Sequence, residues 1–107
     1  MLAKKERLSK KEFDYVFKNG RRVHTPTLQL IYLPDGDFHG AVVVGKKVYK
    51  KAVDRNRLRR RLYGALYRYH KQNTLSGTYI LVAKPSLREA SKENFSATVE
   101  AALQQAM

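Results

Sequence analysis

The feature that most constrains this chain is a run of about 20 residues without proline, residues 52–71, which reads AVDRNRLRRRLYGALYRYHK. Its apolar side chains recur at helical spacing and form one stripe, made of Leu58, Leu62, Ala65, Leu66 and Tyr69. Apolar runs at residues 38–44 and 77–83 flank this segment, and each predicts a strand. A strand, a long helix and another strand predict a crossover between parallel strands, with helices packed on a sheet.

Gly64 lies inside this predicted helix. Glycine in a helix interior is about 1 kcal/mol less favourable than alanine. A helix that tolerates it suggests that another group approaches closely at that point.

Residues 9–19 predict a helix that begins with a capping box. The Ser9 hydroxyl can accept a hydrogen bond from the Glu12 N–H, and the Glu12 carboxylate can reach back. Phe13, Val16 and Phe17 follow at i, i+3 and i+4, and the glycine at position 20 ends the helix.

The remaining segments complete the order of elements. Residues 27–33 (TLQLIYL) predict a strand with Leu28, Leu30 and Tyr32 on one face and Gln29 and Ile31 on the other. Residues 22–25 predict a short edge strand and residues 34–37 a turn. A last helix begins at Ser91, or at Ser86 with Glu89 as an alternative cap, and its apolar stripe is Phe95, Val99, Ala102 and Leu103. The sequence therefore predicts one α+β domain over residues 1–107, an α-β-β-β-α-β-α sandwich with a mixed sheet.

The net charge predicts a polyanionic partner. Lys and Arg number 22 against 9 Asp and Glu, giving +13, and such an excess repels itself in a compact chain. A membrane surface is one candidate, but the sequence has no apolar stretch of about 18 residues and no signal-peptide pattern. Nucleic acid is therefore favoured. The lack of cysteine excludes disulfides and thiolate zinc sites, and is compatible with a reducing cytosol.

The basic residues concentrate in residues 46–71, where Asp54 is the only acid. A solvated helix normally interleaves Glu with Lys, and this one does not. Arginine outnumbers lysine in the helix, and its planar fork suits phosphates and base stacking. The members are Lys46, Lys47, Lys50, Lys51, Arg55, Arg57, Arg59, Arg60, Arg61, Arg68 and Lys71.

Aromatic residues accompany the charge. Helical spacing puts Asn56 and Arg60 on one face with Tyr63 and Tyr67, beside a column of Arg57, Arg61 and Arg68. A face of arginines, an amide and tyrosines suits structured RNA, although both tyrosines could instead pack against a loop. Phe13 and Phe17 could form an aromatic wall for unpaired nucleotides, with Tyr15 or Tyr32 nearby. Spacing alone favours core packing for them.

No catalytic or metal site is visible in the sequence. His24, His39 and His70 are scattered without carboxylates at ligand spacing, and Gly45-Lys46-Lys47 lacks the rest of a phosphate-binding loop. An enzyme that works alone is not favoured.

The segment RNRLRR (55–60) resembles the R-N-R-[IL]-K-R signature of the bacterial ribonuclease P protein component. RLSKKEFDYVFKNG (7–20) is similar to the N-terminal motif of that family. The pair Lys46-Lys47, followed by Ala52-Val53, resembles its lead-in to the signature helix, and YILVAKP (79–85) resembles the strand after it. The resemblance covers nearly the whole chain.

This resemblance implies a cytoplasmic RNA-binding subunit that joins the catalytic RNA of ribonuclease P, as a monomer in a 1:1 complex. The complex would remove the 5′ leader of precursor tRNA, with catalysis by the RNA subunit and with Mg²⁺ held mainly by RNA. The protein would contribute no catalytic side chain, metal ligand or cofactor. The family's sandwich has a left-handed crossover through the signature helix, which is opposite to the usual hand.

The family's functional residues fall on two sets in this chain. By resemblance, the catalytic RNA would contact Lys46, Lys47, Arg55, Asn56, Arg57, Arg59 and Arg60. The single-stranded leader would lie in a central cleft with Phe13, Phe17 and an aromatic in the region of Ile31 and Tyr32, for which we select Tyr32. Two positions depart from the family: Gly45 replaces a common Ser, and Tyr63 replaces a frequent Arg.

Two other functions compete with this interpretation. A structural RNA-binding protein, such as a ribosomal protein, would have the same composition and lack only the motif. A metal-dependent nuclease acting alone would need clustered acids, and the sequence shows none.

Overall fold

A computed structural model describes residues 7–34, 36–89 and 92–106. The strands are β1 (Arg21–His24), β2 (Leu28–Leu33), β3 (His39–Val43) and β4 (Thr78–Ala83). The helices are α1 (Lys10–Asn19), α2 (Ala52–Asn73) and α3 (Lys92–Gln105), with a 3₁₀ turn at Pro85–Glu89. This is the predicted α-β-β-β-α-β-α order, and the α+β fold class is confirmed.

The four strands form one mixed sheet in the order β1-β2-β4-β3. β1 pairs with β2 and β2 pairs with β4, both antiparallel, whereas β3 and β4 are parallel. The chain passes from β3 to β4 through α2, so the predicted parallel crossover is confirmed. The left hand of this crossover stays a prediction from the resemblance.

The two faces of the sheet carry different cores, because side chains alternate along each strand. Leu28, Leu30 and Leu81 are fully buried in the cluster that includes α2 and α3, and we call this the upper core. Ile31 and Ile80 are fully buried on the opposite face, in a smaller cluster with Val16 of α1, which we call the lower core.

The predicted apolar stripes are confirmed in both long helices. Every member of the α2 stripe, from Leu58 to Tyr69, is buried in the upper core. Phe95, Val99, Ala102 and Leu103 of α3 are buried there as well. Ser91, the predicted start of α3, and Asp35 of the predicted turn lie outside the described residues. In the described part of the chain, none of the helices combines the length and the apolar character needed to cross a membrane.

The capping box at the start of α1 is present. The Ser9 hydroxyl oxygen accepts from the Glu12 N–H and the Glu12 carboxylate accepts from the Ser9 N–H, each at 3.2 Å. Hydrogen bonding with Ser9 lowers the pKa of the Glu12 carboxyl below its ordinary value, with the larger effect from the Ser9 side chain and the smaller from its backbone. The box therefore stabilises α1 above the ordinary carboxyl pKa, and this contribution is lost as the pH falls through the lowered one.

Gly64 does not pack against any other part of the described protein. A Cβ built at this position has no heavy atom within 4 Å outside the local helix backbone. The predicted close approach is therefore wrong for contacts within this chain, because the residue lies on the side of α2 that faces away from the upper core. The glycine lowers helix stability with no packing gain.

We expect Gly64→Ala to stabilise the protein by about 0.5 to 1 kcal/mol, because alanine restricts the unfolded chain and meets open space in the folded one. Chemical denaturation measures the change. Gly77→Ala is the matched control, since Gly77 has a φ of +92° and its added Cβ would lie 2.7 Å from the Pro34 carbonyl carbon. It should destabilise the protein. A Gly64→Ala protein that is less stable than the wild type would show that the helix needs glycine there.

Candidate RNA-binding surfaces

One exposed surface of α2 runs along the side opposite the buried stripe. Residues three or four apart share a helix face, and we call this face the outer ridge: Val53, Asn56, Arg60, Gly64, Tyr67 and Lys71. Asn56, Arg60 and Lys71 are exposed, and Val53 presents an apolar side chain that is 57% exposed. The ridge thus offers two cations, an amide and apolar surface to a partner.

Asn56 is oriented by its neighbour on the helix. The Arg59 guanidinium donates a hydrogen bond of 2.6 Å from Nη1 to Asn56 Oδ1. Because the amide oxygen is engaged, the Asn56 NH₂ group is left to donate outward. Such a donor matches phosphate oxygens and the acceptor atoms of bases.

Arg55 has a structural contact as well as an exposed charge. Its Nη1 donates to the carbonyl oxygens of Tyr49, at 3.1 Å, and Lys50, at 2.6 Å. These bonds fasten residues 45–51 (GKKVYKK), which we call the basic loop, to the first turn of α2, where the N-cap residue Lys51 makes no side-chain cap. Arg55 is half-buried, whereas Arg57 and Arg60 are exposed.

The basic loop itself is anchored from inside. Val48 is only 2% exposed and belongs to the upper core, and its N–H donates to Gly45 O at 3.1 Å. Lys46 and Lys47 therefore stand at the exposed corner of a turn that the core holds in place. A Cβ at Gly45 would meet no described atom within 4 Å, so the space there does not require glycine.

Two of the predicted arginines pack against α3. The Arg61 guanidinium carbon lies 4.3 Å from the centroid of the Phe95 ring, and Arg68 donates to Ser96 Oγ at 3.2 Å. The column of Arg57, Arg61 and Arg68 is thus divided, because α3 covers its side of α2. Sequence periodicity could not reveal these contacts, which depend on where α3 lies.

Tyr63 and Tyr67 had two interpretations from the sequence, contact with RNA and packing within the protein, and the structure shows features of both. Both are half-buried and pack against the upper core. Tyr67 also lies under Lys71, whose Nζ is 5.1 Å from the ring centroid. The tyrosines are therefore partly core residues, and Tyr67 keeps one part of its ring on the outer ridge.

A second surface lies on the other face of the sheet, beside α1. The rings of Phe13 and Phe17 stack at 5.7 Å with an interplanar angle of 22°. Phe13 is half-buried against the lower core, whereas Phe17 is 40% exposed. The core interpretation therefore fits Phe13 better than Phe17.

The floor beside these rings is a row of half-exposed strand residues. Register places Gln29, Val82 and Val43 side by side on β2, β4 and β3, and we call them the open row. On the other side of α1, Tyr15 lines a cavity with Leu33 and Thr78. Phe13 packs on the same cluster as Val43 and Val82, so we infer that Phe13 and Phe17 lie on the side of α1 toward the open row, and we call the strip between these rings and the open row the groove. Val43, at the β3 side of the groove, is followed three and four residues later in the chain by Lys46 and Lys47.

Tyr32 does not belong to this groove, and its selection as a cleft residue is wrong. It shares the strand face of Leu28 and Leu30, is 9% exposed, and stacks on Tyr79 at 6.3 Å within the upper core. Its neighbour Ile31 is on the face of α1, but it is fully buried beneath that helix. The alternation of β2 thus leaves Gln29 as its half-exposed residue in the groove.

The histidines and acids form no metal site among the described residues, which contain no group of three or more His, Cys, Asp or Glu side chains able to hold an ion. His70 is part of the fold: its ring stacks on Phe38 at 3.9 Å, and its Nδ1 accepts from the Leu75 N–H at 3.1 Å. His39 contacts the Asp37 carbonyl at 3.0 Å through Nδ1.

This geometry defines the class: a small α+β domain with one densely basic helix and, on the opposite face of the sheet, an aromatic groove. Comparison with known proteins identifies it further, because the family model described as ribonuclease P matches residues 2–107. The chain belongs to the ribonuclease P protein family. This membership does not favour the alternative of a ribosomal protein.

Curated relatives and solved structures agree with the family match. A ribonuclease P protein component from Nitratiruptor sp. is 46% identical over 79 residues, which cover 74% of this chain and 71% of the relative. One from Synechococcus elongatus is 38% identical over 81 residues, 70% of this chain and 66% of the relative. The fold is similar to the ribonuclease P protein of Staphylococcus aureus, with a TM-score of 0.77, 19% identity and 94% of both chains covered. For that of Thermotoga maritima the TM-score is 0.67, the identity 22% and the coverage 94% and 93%.

We expect alanine substitutions at Arg55 and at Arg60 to change the free energy of unfolding by different amounts. Arg55→Ala removes two hydrogen bonds to backbone carbonyls and should lower the free energy of unfolding by about 1 kcal/mol. Arg60→Ala removes an exposed side chain and should change it by less than about 0.5 kcal/mol. Urea denaturation of both variants measures this difference, and equal effects would contradict the structural role of Arg55.

Proposed function

We propose that this protein is the RNA-binding subunit of a cytoplasmic ribonuclease P that removes the 5′ leader of precursor tRNA. The basic loop and the arginine-rich first half of α2 bind the catalytic RNA, through Lys46, Lys47, Arg55, Asn56, Arg57, Arg59 and Arg60. The groove of Phe13, Phe17 and the open row binds the single-stranded leader. One protein monomer joins one RNA, and the RNA carries out the cleavage.

The observation that carries this proposal is the unbalanced charge of α2 on a surface that the fold leaves open. Arg57 and Arg60 are exposed, and Asp54 is the only acid in residues 46–71. Each cation that neutralises a phosphate releases counterions, and this release supplies much of the affinity for nucleic acid. Arginine adds a planar fork that pairs with phosphate oxygens.

The groove supports a single-stranded partner rather than a duplex. The part of the Phe17 ring that Phe13 and Arg22 leave exposed can pack against an unpaired base whatever the base sequence, and contact between a base and an aromatic ring contributes roughly 1 to 3 kcal/mol. A duplex keeps its bases stacked on one another and does not offer their faces. The leader of a precursor tRNA supplies the unpaired bases that this groove fits.

The chemistry of cleavage is assigned to the RNA and its Mg²⁺. Under this proposal the protein binds and orients both RNAs, and its side chains contribute neither a nucleophile nor a metal ligand. Bound Mg²⁺ and the basic residues of α2 would both lower the repulsion between the catalytic RNA and its substrate, so the protein should matter most where Mg²⁺ is scarce.

Reconstitution tests this proposal against its competitors. The protein, bacterial ribonuclease P RNA and precursor tRNA are combined at low Mg²⁺, and leader removal is measured with each macromolecule omitted in turn. We expect cleavage to need the RNA and to increase with the protein. Cleavage by the protein alone would support the protein-only nuclease. Tighter binding to ribosomal RNA than to ribonuclease P RNA would support the structural RNA-binding protein.

We expect Arg60→Ala to weaken binding to the catalytic RNA by roughly 1 to 3 kcal/mol, the range for a hydrogen bond to a charged group. The slope of log affinity against log salt should fall by about one unit. Titrations at several salt concentrations measure both effects. Arg21→Ala, which removes the same charge from an exposed position on β1, is the control. Unchanged affinity in a folded double variant, Arg57→Ala with Arg60→Ala, would refute the assignment of α2 as the surface that binds the catalytic RNA.

We expect Phe17→Ala to weaken holoenzyme binding to precursor tRNA by roughly 1 to 3 kcal/mol, as for the loss of one stacked base, and to leave mature tRNA binding unchanged. Tyr15→Ala is the control, since Tyr15 is a 62% exposed aromatic on the opposite side of α1. A thermal melt checks the fold. If stability falls by the roughly 3 to 5 kcal/mol typical of a buried phenylalanine while the preference for precursor survives, Phe17 is a core residue.

A further inference from the structure

Arg22 covers one face of the Phe17 ring. Its guanidinium carbon lies 5.0 Å from the ring centroid, and its Nη2 donates to the Phe17 carbonyl oxygen at 2.5 Å. The other partner of the Phe17 ring is Phe13, whose centroid is 5.7 Å away. Phe13 and Arg22 therefore both contact the Phe17 ring, and the three side chains lie together beside the groove.

The position of Arg22 is fixed by two independent interactions. The Phe17 carbonyl lies in the last turn of α1, where carbonyls lack partners within the helix and the helix dipole favours a cation. Stacking on Phe17 adds a cation–π contact. Because both interactions hold the same guanidinium, we expect it to stay in place when a ligand enters the groove.

Register places Arg22 on the face of the sheet that carries α1 and the groove, at the edge strand. It pairs with Ile31 of the lower core, so its side chain is on the face of α1. Arg21 pairs with Tyr32 of the upper core and is on the opposite face. Both arginines are exposed on the edge strand β1. Two adjacent residues of the same type thus differ in the face they occupy.

We propose that Arg22 is a leader-binding residue, whose guanidinium stacks on a base of the leader and pairs with an adjacent phosphate. This inference rests on the proposed function, because it requires the leader to occupy the groove. Arg22 is exposed, so a guanidinium positioned over one aromatic ring can also contact a second flat group, and it keeps N–H donors at its edge for phosphate. It would extend the stacking surface beyond Phe17 by one position.

The test compares holoenzymes that carry Arg22→Ala, Arg22→Lys, Arg21→Ala or Phe17→Ala, with dissociation constants measured for precursor and mature tRNA. We expect Arg22→Ala to weaken precursor binding by about 5- to 20-fold, the lower part of the range for one stacked base, with mature tRNA unaffected. Arg22→Lys keeps the charge but lacks the plane, so it should recover only part of this loss. Arg21→Ala should change precursor binding by less than about 2-fold, as expected for one exposed charge on the other face.

The outcomes separate this inference from the proposed function. If Phe17→Ala weakens precursor binding and Arg22→Ala leaves it unchanged or makes it tighter, the leader occupies the groove but Arg22 is only a cap on α1. Full affinity in Arg22→Lys would overturn the stacking role. If Phe17→Ala has no effect, the groove does not take the leader and the proposed function itself fails. Circular dichroism of each variant checks that α1 has formed, and a loss of binding to both tRNAs would indicate misfolding and overturn a leader-specific role.

Discussion

The structure depends on how unequally its helices cover the two faces of one four-stranded sheet. α2 and α3, with 22 and 14 residues, cover one face and bury the upper core. Among the residues that the structure describes, the one helix on the other face is α1, whose 10 residues extend about 15 Å at 1.5 Å per residue. It buries the row of Ile31, Ile80 and Ala41 and leaves the open row half-exposed. The groove exists because one short helix cannot cover a whole sheet.

The basic residues of α2 do not all remain available to a partner. The apolar stripe of this helix is buried in the upper core, so the arginines lie on the rest of its surface, and α3 covers part of that surface. Arg61 lies on Phe95, Arg68 bonds Ser96, and Arg55 holds the basic loop. The number of cations in the sequence therefore overstates the number that are free to meet phosphates, and the salt dependence of RNA binding should reflect the smaller number.

Much of the fold followed from local patterns: the order of elements, the stripes of α2 and α3, and the capping box at Ser9. The site was less predictable, because it depends on contacts between distant segments. The alternation of side chains along β2 had already grouped Tyr32 with Leu28 and Leu30. It could not show which face of the strand α1 would cover. The resemblance to the family also left open which residue near Ile31 and Tyr32 was the cleft aromatic. Arg22 carried no local signal, since its contact with Phe17 depends on how the chain reverses after α1. Gly64 suggested a close approach that the described protein does not make.

One of the two central strands of the sheet, β4, is the last of the described strands along the chain. β4 lies between β2 and β3 and is hydrogen-bonded to both. These two earlier strands therefore cannot join one sheet until residues 78–83 have been synthesised. During translation, only the β1–β2 hairpin can form its final pairing before then, and the apolar stripe of α2 has no completed sheet to cover. The long sequence separation of these pairings also slows folding. The sheet that supports both surfaces is thus completed only when β4, the last of the four described strands, takes its place between β2 and β3.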